Sequence, residues 1–203
     1  LRQSWVNQII RKSVGYIDTP ILSQPTLTQR LRNNPAIQFD LEALQNLSPE
    51  KLAKKVCIVQ DPFTSFYDAQ VVESLVTLIT KLGYEAVLLP FMPNGKPQHV
   101  KGFLKEFAKT AKTAADFLNQ LDDLAIPMIG VDPSMVLCYR DEYAKVLGDD
   151  RGEFKVQLVH EWLLQLELPK VAQDKNQDYA LFGHCSEKTA LPASEQQWQQ
   201  IFQ

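Results

Sequence analysis

The pair His184-Cys185 carries the sharpest chemical signal in this chain. It closes a short apolar run and opens Ser186-Glu187-Lys188-Thr189-Ala190, a segment suited to a helix. A thiol at such a strand-to-helix turn feels backbone amide dipoles that favour the thiolate, the form that binds metal or attacks an electrophile. Adjacent side chains rarely face each other and no third group orients the pair, so a Cys nucleophile served by His184 is disfavoured. Two roles stay open for Cys185: an idle thiol, or a metal ligand whose partners lie beyond Gln203. Three more polar clusters follow apolar runs: Asp61-Pro62, Met92-Pro93-Asn94-Gly95 and Asp132-Pro133-Ser134. Asp61, Asn94, Asp132, Ser134 and His184 are therefore the candidates for lining a ligand crevice. Asp132 and Ser134 also suit capping of a following helix, and Asp61 before proline suits a turn.

Other suggestive residues fail a spacing test. His160-Glu161 starts like a zinc-protease helix, but Trp162-Leu163-Leu164 follows without the second histidine. Lys101, Lys105, Lys109 and Lys112 form a basic stripe opposite an apolar helix face, the pattern of a solvated surface or of a dock for an acidic partner. Neither common glycine-rich phosphate loop occurs. Cys57 sits in an apolar strand-like run and Cys138 in a helical pattern, which makes both small core residues.

The elements that position the candidates alternate. Residues 56–59 form a continuous β-favouring run, and Val72, Leu75, Val76 and Ile79 give helical spacing over 69–82, stopped by Gly83. A second strand is predicted over 84–89, then a helix lined by Phe103, Leu104, Phe107, Ala111, Ala114 and Leu118. A third strand is predicted over 126–131, helices over 134–147 and 154–166, and a fourth strand over 179–183. Strands without polar alternation, each followed by a helix, imply an α/β fold, a Rossmann-like parallel sheet with helices on both faces. Ligands of such sheets bind beyond the carboxyl ends of the strands, where the candidate residues fall. Residues 55–61 and 179–185 look like a weak internal repeat, so the domain over 55–203 divides into a first half at about 55–150 and an incomplete second half at about 151–203. Residues 1–54, punctuated by Pro20, Pro25, Pro35 and Pro49, read as a helical linker whose apolar residues are too sparse for a core.

Composition narrows the function class. At 203 residues and 45% hydrophobic, the chain can bury a core without disulfides or metals. A formal net charge of -3 gives a weak field, which argues against nucleic acid or an anionic membrane as partner. No apolar run approaches the ~20 residues of a membrane-spanning helix. Three scattered cysteines, with no C-x-x-C pair, fit a reducing, cytoplasmic setting. The start at Leu1 and the helical spacing of Trp198, Ile201 and Phe202 up to the last residue suggest a piece of a longer protein.

Two segments carry a family resemblance. Val131-Asp132-Pro133-Ser134-Met135, continuing to Asp141-Glu142-Tyr143, resembles the "P-S-C … E-Y" segment of cysteine-rich CCG domains, found in glycolate oxidase iron-sulfur subunits and heterodisulfide reductases. Leu181-Phe182-Gly183-His184-Cys185-Ser186-Glu187-Lys188-Thr189-Ala190-Leu191-Pro192 is most similar to the His-Cys segment of long FAD-linked oxidases acting on D-2-hydroxy acids such as D-lactate or D-2-hydroxyglutarate. The resemblance spans roughly residues 55–203. It implies a parent oxidoreductase with FAD and 4Fe-4S clusters, whose closing domain transfers electrons or docks an electron acceptor beside the other domains of the chain. It also exposes departures, since Asp61, Pro93-Asn94-Gly95 and Met135 stand where such domains place cysteines. Only Cys185 matches a retained cysteine, so this fragment is expected to hold no cofactor and to be inactive alone. Two rival readings are a structural or interaction domain with no cofactor, and a small-ligand domain using the crevice around Asp61, Asn94 and Asp132.

Overall fold

The computed structural model describes residues 4–15, 17, 20–34, 37–169 and 180–202. Four short helices precede the sheet: α1 (Ser4–Val14), α2 (Leu27–Arg30), α3 (Leu41–Gln45) and α4 (Pro49–Leu52). The strands β1 (Lys55–Val59), β2 (Glu85–Leu88), β3 (Met128–Gly130) and β4 (Val156–Leu158) form one parallel sheet in the order β2-β1-β3-β4. The α/β fold expected from the sequence is the fold observed. In register, Cys57 of β1 lies between Val87 of β2 and Met128 of β3.

β1 is central, and its last four residues are buried because both faces are covered. Successive side chains leave a strand on opposite sides, so Cys57 and Val59 join one core layer while Val56 and Ile58 join the other. Helix α5 (Ala69–Lys81) buries Val72, Leu75, Val76 and Ile79 against the Val56 side. After β2 come α6 (Lys96–Val100) and α7 (Leu104–Asp122), whose Phe107, Ala111, Ala114 and Leu118 cover the Cys57 side. Each fully buried Val, Leu, Ile or Phe side chain among them contributes about 1.5–3 kcal/mol by leaving water. The chain therefore winds one way from β1 to β2 and crosses to the other side of β1 to make β3. Between β1 and β3 the direction reverses, and in such sheets ligands bind at the carboxyl ends of the two strands where it does.

Beyond β3, α8 (Pro133–Leu137) continues through a π-helical turn, Cys138–Glu142, into α9 (Tyr143–Leu147). Gly130 makes the close approach of α8 possible, since a Cβ there would lie 2.5 Å from the Val136 side chain. After β4 come α10 (Val159–Leu163), α11 (Cys185–Ala190) and α12 (Ser194–Phe202).

Two expectations need correction. No strand forms over residues 180–183, and Tyr179 and the rest of residues 170–179 lie outside the described residues. The fourth strand is instead Val156–Leu158, inside the stretch whose spacing suggested helix from 154. Three residues are too few to separate strand from buried helix by periodicity. The strand gives way to helix where the Glu161 carboxylate accepts the Leu158 N–H at 2.8 Å. The internal repeat thus lacks its second strand among the described residues. Nor are the apolar residues before β1 idle, for Leu27, Ile37 and Leu44 are buried in the two core layers. Hydrogen bonds fasten this segment: Thr26 and Gln29 form a reciprocal cap on α2, and Asp40 caps α3 through Ala43 N–H at 3.0 Å.

Candidate functional site

Three sequence candidates lie past the carboxyl ends of β1, β2 and β3. Asp61, following β1, is buried, and its Oδ1 accepts the N–H groups of Phe63 at 2.8 Å and Thr64 at 2.9 Å. Its other oxygen accepts the Thr64 hydroxyl. Burial pushes Asp61 above the ordinary carboxylate value; the Thr64 and Phe63 hydrogen bonds oppose the rise, and the nearby charge of Asp132 adds to it. Asp132 itself caps α8, accepting Met135 N–H at 2.9 Å. Asn94 is buried against the same helix: its amide nitrogen lies 3.1 Å from the Met135 sulfur, and its oxygen accepts Lys96 N–H at 3.0 Å. The Tyr143 hydroxyl donates to the Asn94 carbonyl at 2.9 Å. Burial raises the Tyr143 phenol far above its usual range, so it stays a neutral donor. Gly95 completes the corner with φ +79°, where a Cβ would lie 2.7 Å from the Phe107 ring.

Ser134 and Cys185 face a different space. A cleft of about 330 Å³ is lined by Lys96, Ser134, Asp141, Glu142, Cys185 and Ser186. Lys96 pairs with Glu142, both only slightly exposed, which fixes one wall. Cys185 is the first residue of α11 and is exposed. Its sulfur lies 4.0 Å from His184 Nδ1, but that nitrogen accepts Ser186 N–H at 3.1 Å. The Nδ1 lone pair is thus engaged in capping α11. Cys57 and Cys138 are buried in the apolar core, and burial pushes each thiol up to about 12. The basic stripe of Lys101, Lys105, Lys109 and Lys112 is solvent-exposed, with Lys112 paired to Asp116 one turn on.

A third polar group went unrecognised in the sequence. His160 of α10 is 1% exposed, and its Nε2 lies 3.1 Å from Gln197 Oε1 while Nδ1 lies 3.6 Å from the buried Glu187 carboxylate. Ser194 donates to the same Glu187 oxygen at 2.7 Å, and the Trp198 ring packs over the imidazole at 5.1 Å. This network ties α11 and α12 to α10. It borders an apolar cleft of about 290 Å³ whose walls include Val71, Leu75, Leu78, Val159 and Trp198. Glu187 sits in a polar stretch and its partners are on other helices, so no local pattern marks it. His160-Glu161, set aside as a failed zinc motif, holds two structural residues: Glu161 also receives both terminal nitrogens of Arg140.

The donor set does not fit an iron-sulfur cluster. Four thiolates are the usual requirement, and this chain has one exposed thiol and two in its core. Where the family resemblance expects cysteines, Asp61, Asn94 and Met135 bond to protein groups around them. Among the described residues, no group of three or more His, Cys, Asp and Glu stands close enough to hold a metal ion. No described helix is long and apolar enough to cross a membrane.

The chain is 53% identical over 203 residues to a D-2-hydroxyglutarate dehydrogenase of Pantoea ananatis, matching 100% of this chain. The proteins of the same name from Escherichia coli and Haemophilus influenzae are 52% and 46% identical, over 100% and 96% of this chain. The chain spans 20% of the length of each relative. No protein-family model matches it, and no solved structure matches it.

Proposed function

We propose that this chain is an α/β domain of a larger D-2-hydroxyglutarate dehydrogenase, serving electron transfer or acceptor docking and not catalytic alone. One observation carries the reading: relatives of that name align with 96–100% of this chain while it occupies 20% of their length. FAD and iron-sulfur clusters, implied by the resemblance, belong on this reading to other parts of the parent protein. The groups offered here to a partner or to a neighbouring ligand are Cys185, Ser134 and the Lys96–Glu142 pair around their shared cleft.

The test is oxidation of D-2-hydroxyglutarate followed by reduction of an artificial acceptor. The full-length polypeptide is expected to turn over, and the 203-residue chain alone is expected to show none. Turnover by this chain alone, or none by the full-length protein, contradicts the proposal. A purely structural role is the second reading, favoured by the closed corner at Asp61 and Asn94. Unchanged turnover with the natural acceptor in a full-length Cys185→Ser variant would select it.

A further inference from the structure

Three short segments with no charged side chain meet at one end of the sheet. A π-helical turn at 62–67 follows β1, residues 89–95 follow β2, and residues 20–26 lead into α2. Contacts join them into one surface. Ser23 N–H donates to the Phe66 carbonyl at 2.7 Å, and the Ser23 hydroxyl accepts Ala69 N–H at 2.9 Å. The Phe66 and Phe91 rings meet edge-to-face at 4.8 Å. Yet much of this apolar surface faces water: Phe63 is 52% exposed, Phe66 42%, Tyr67 43%, and Ile21 and Leu22 more than half. Single exposed apolar residues are ordinary, but a joined cluster of them marks an interface.

We infer that the surface formed by Ile21, Leu22, Phe63, Phe66, Tyr67 and Phe91 is where this domain docks permanently against another part of the same polypeptide. The inference rests on the reading that the chain belongs to a longer dehydrogenase, and it names the face that meets the rest. Composition selects the kind of partner. Transient contacts are about as polar as the general surface, whereas permanent ones are richer in apolar and aromatic residues and their cores are depleted of charge. The absence of charge from all three segments fits a permanent contact with an equally apolar face. The relatives leave room for such a partner within one chain, since four-fifths of their length lies outside the matched region.

Photo-crosslinking in the full-length protein tests this directly. A benzophenone side chain replaces Phe66 or Phe91, and for comparison Lys105 on the solvent face of α7, in a mixture of isotopically light and heavy protein. Phe66 and Phe91 are expected to give crosslinks to light-light and heavy-heavy peptides outside this domain, absent from the Lys105 sample. Mixed light-heavy crosslinks would assign the surface to a second copy and overturn the inference, as would crosslinks no more abundant than at Lys105. Carbene footprinting of the unmodified full-length protein guards against damage by the label. Phe66 and Phe91 should be labelled as weakly as the core residue Phe107, and labelling equal to that at Lys105 would overturn the inference. A natural polypeptide ending within these 203 residues would instead refute the underlying reading.

Discussion

The corner at Asp61 and Asn94 and the cleft at Cys185 share one edge of one sheet, yet their chemistry is opposite. At the corner, Asp61 accepts three hydrogen bonds, Asn94 bridges Lys96 and Met135, and Gly95 presses on Phe107. At the cleft, an exposed thiol stands beside Ser134 and the Lys96–Glu142 pair around about 330 Å³ of open space. Lys96 belongs to both, its N–H bonded to Asn94 and its ammonium to Glu142. The difference teaches that lying at the carboxyl end of a parallel strand does not make a residue available to a ligand. Side chains that satisfy one another stabilise the fold and leave little for anything else.

Breaking the closed corner should have the largest effect. Asn94→Leu leaves the partly buried Lys96 N–H without its acceptor and puts an apolar side chain in place of a buried amide, and a loss of about 2 kcal/mol or more is expected. Urea unfolding measures it, with an unchanged denaturant slope showing that the fold survives. Glu187→Ala should cost slightly less, about 2 kcal/mol, since it strips buried Ser194 of its acceptor and removes the carboxylate beside His160. Its damage should be local, seen as faster hydrogen exchange in α11 and α12 while β1 stays protected.

Protonation sharpens the contrast further. Asp61 sits above its ordinary value of 3.8, so the native state holds that proton more tightly than the unfolded chain. The resulting stabilisation is fully present below that value and is lost as pH rises through the raised native one. Glu161 runs the other way. Burial alone would raise it, but hydrogen bonds from Arg140 and Leu158 N–H outweigh burial and hold it below 4.5. Its stabilisation is present above 4.5 and is lost as pH falls through the lower native value. In urea midpoints collected across acidic pH, Asp61→Asn should remove the decline on the rising side, and Glu161→Gln the decline on the falling side. Curves parallel to that of the unsubstituted protein would refute both assignments.

Cys185→Ser should have the smallest effect on stability, within about 0.5 kcal/mol, as is usual for an exposed position. It should nonetheless remove all thiol reactivity of the folded protein, because Cys57 and Cys138 are buried and protonated. Counting thiols with an aromatic disulfide should give one before denaturation and three after it in the unsubstituted chain.

The sheet was legible because its buried strands are continuous apolar runs, and Asp61, Asn94 and Asp132 stand past the ends of three of them. What those residues do there was not, because it depends on partners distant in sequence: Asn94 and Met135 are 41 positions apart. The same holds for His160, whose partners Glu187 and Gln197 lie on two later helices. β4 escaped notice because three residues carry no period, and the run over 180–183 looked more strand-like but forms no strand. Local patterns thus revealed where chemistry is possible, and tertiary contacts determined where it has been used up.

Anaerobic reconstitution with ferrous iron and sulfide probes most directly whether this fold, by itself, supplies ligands for an electron-carrying cluster. With one accessible thiol and a self-satisfied corner, the 203-residue chain should retain no stoichiometric iron and sulfide after desalting and show no cluster absorbance. A bound cluster, especially one abolished by Cys185→Ser, would contradict the account.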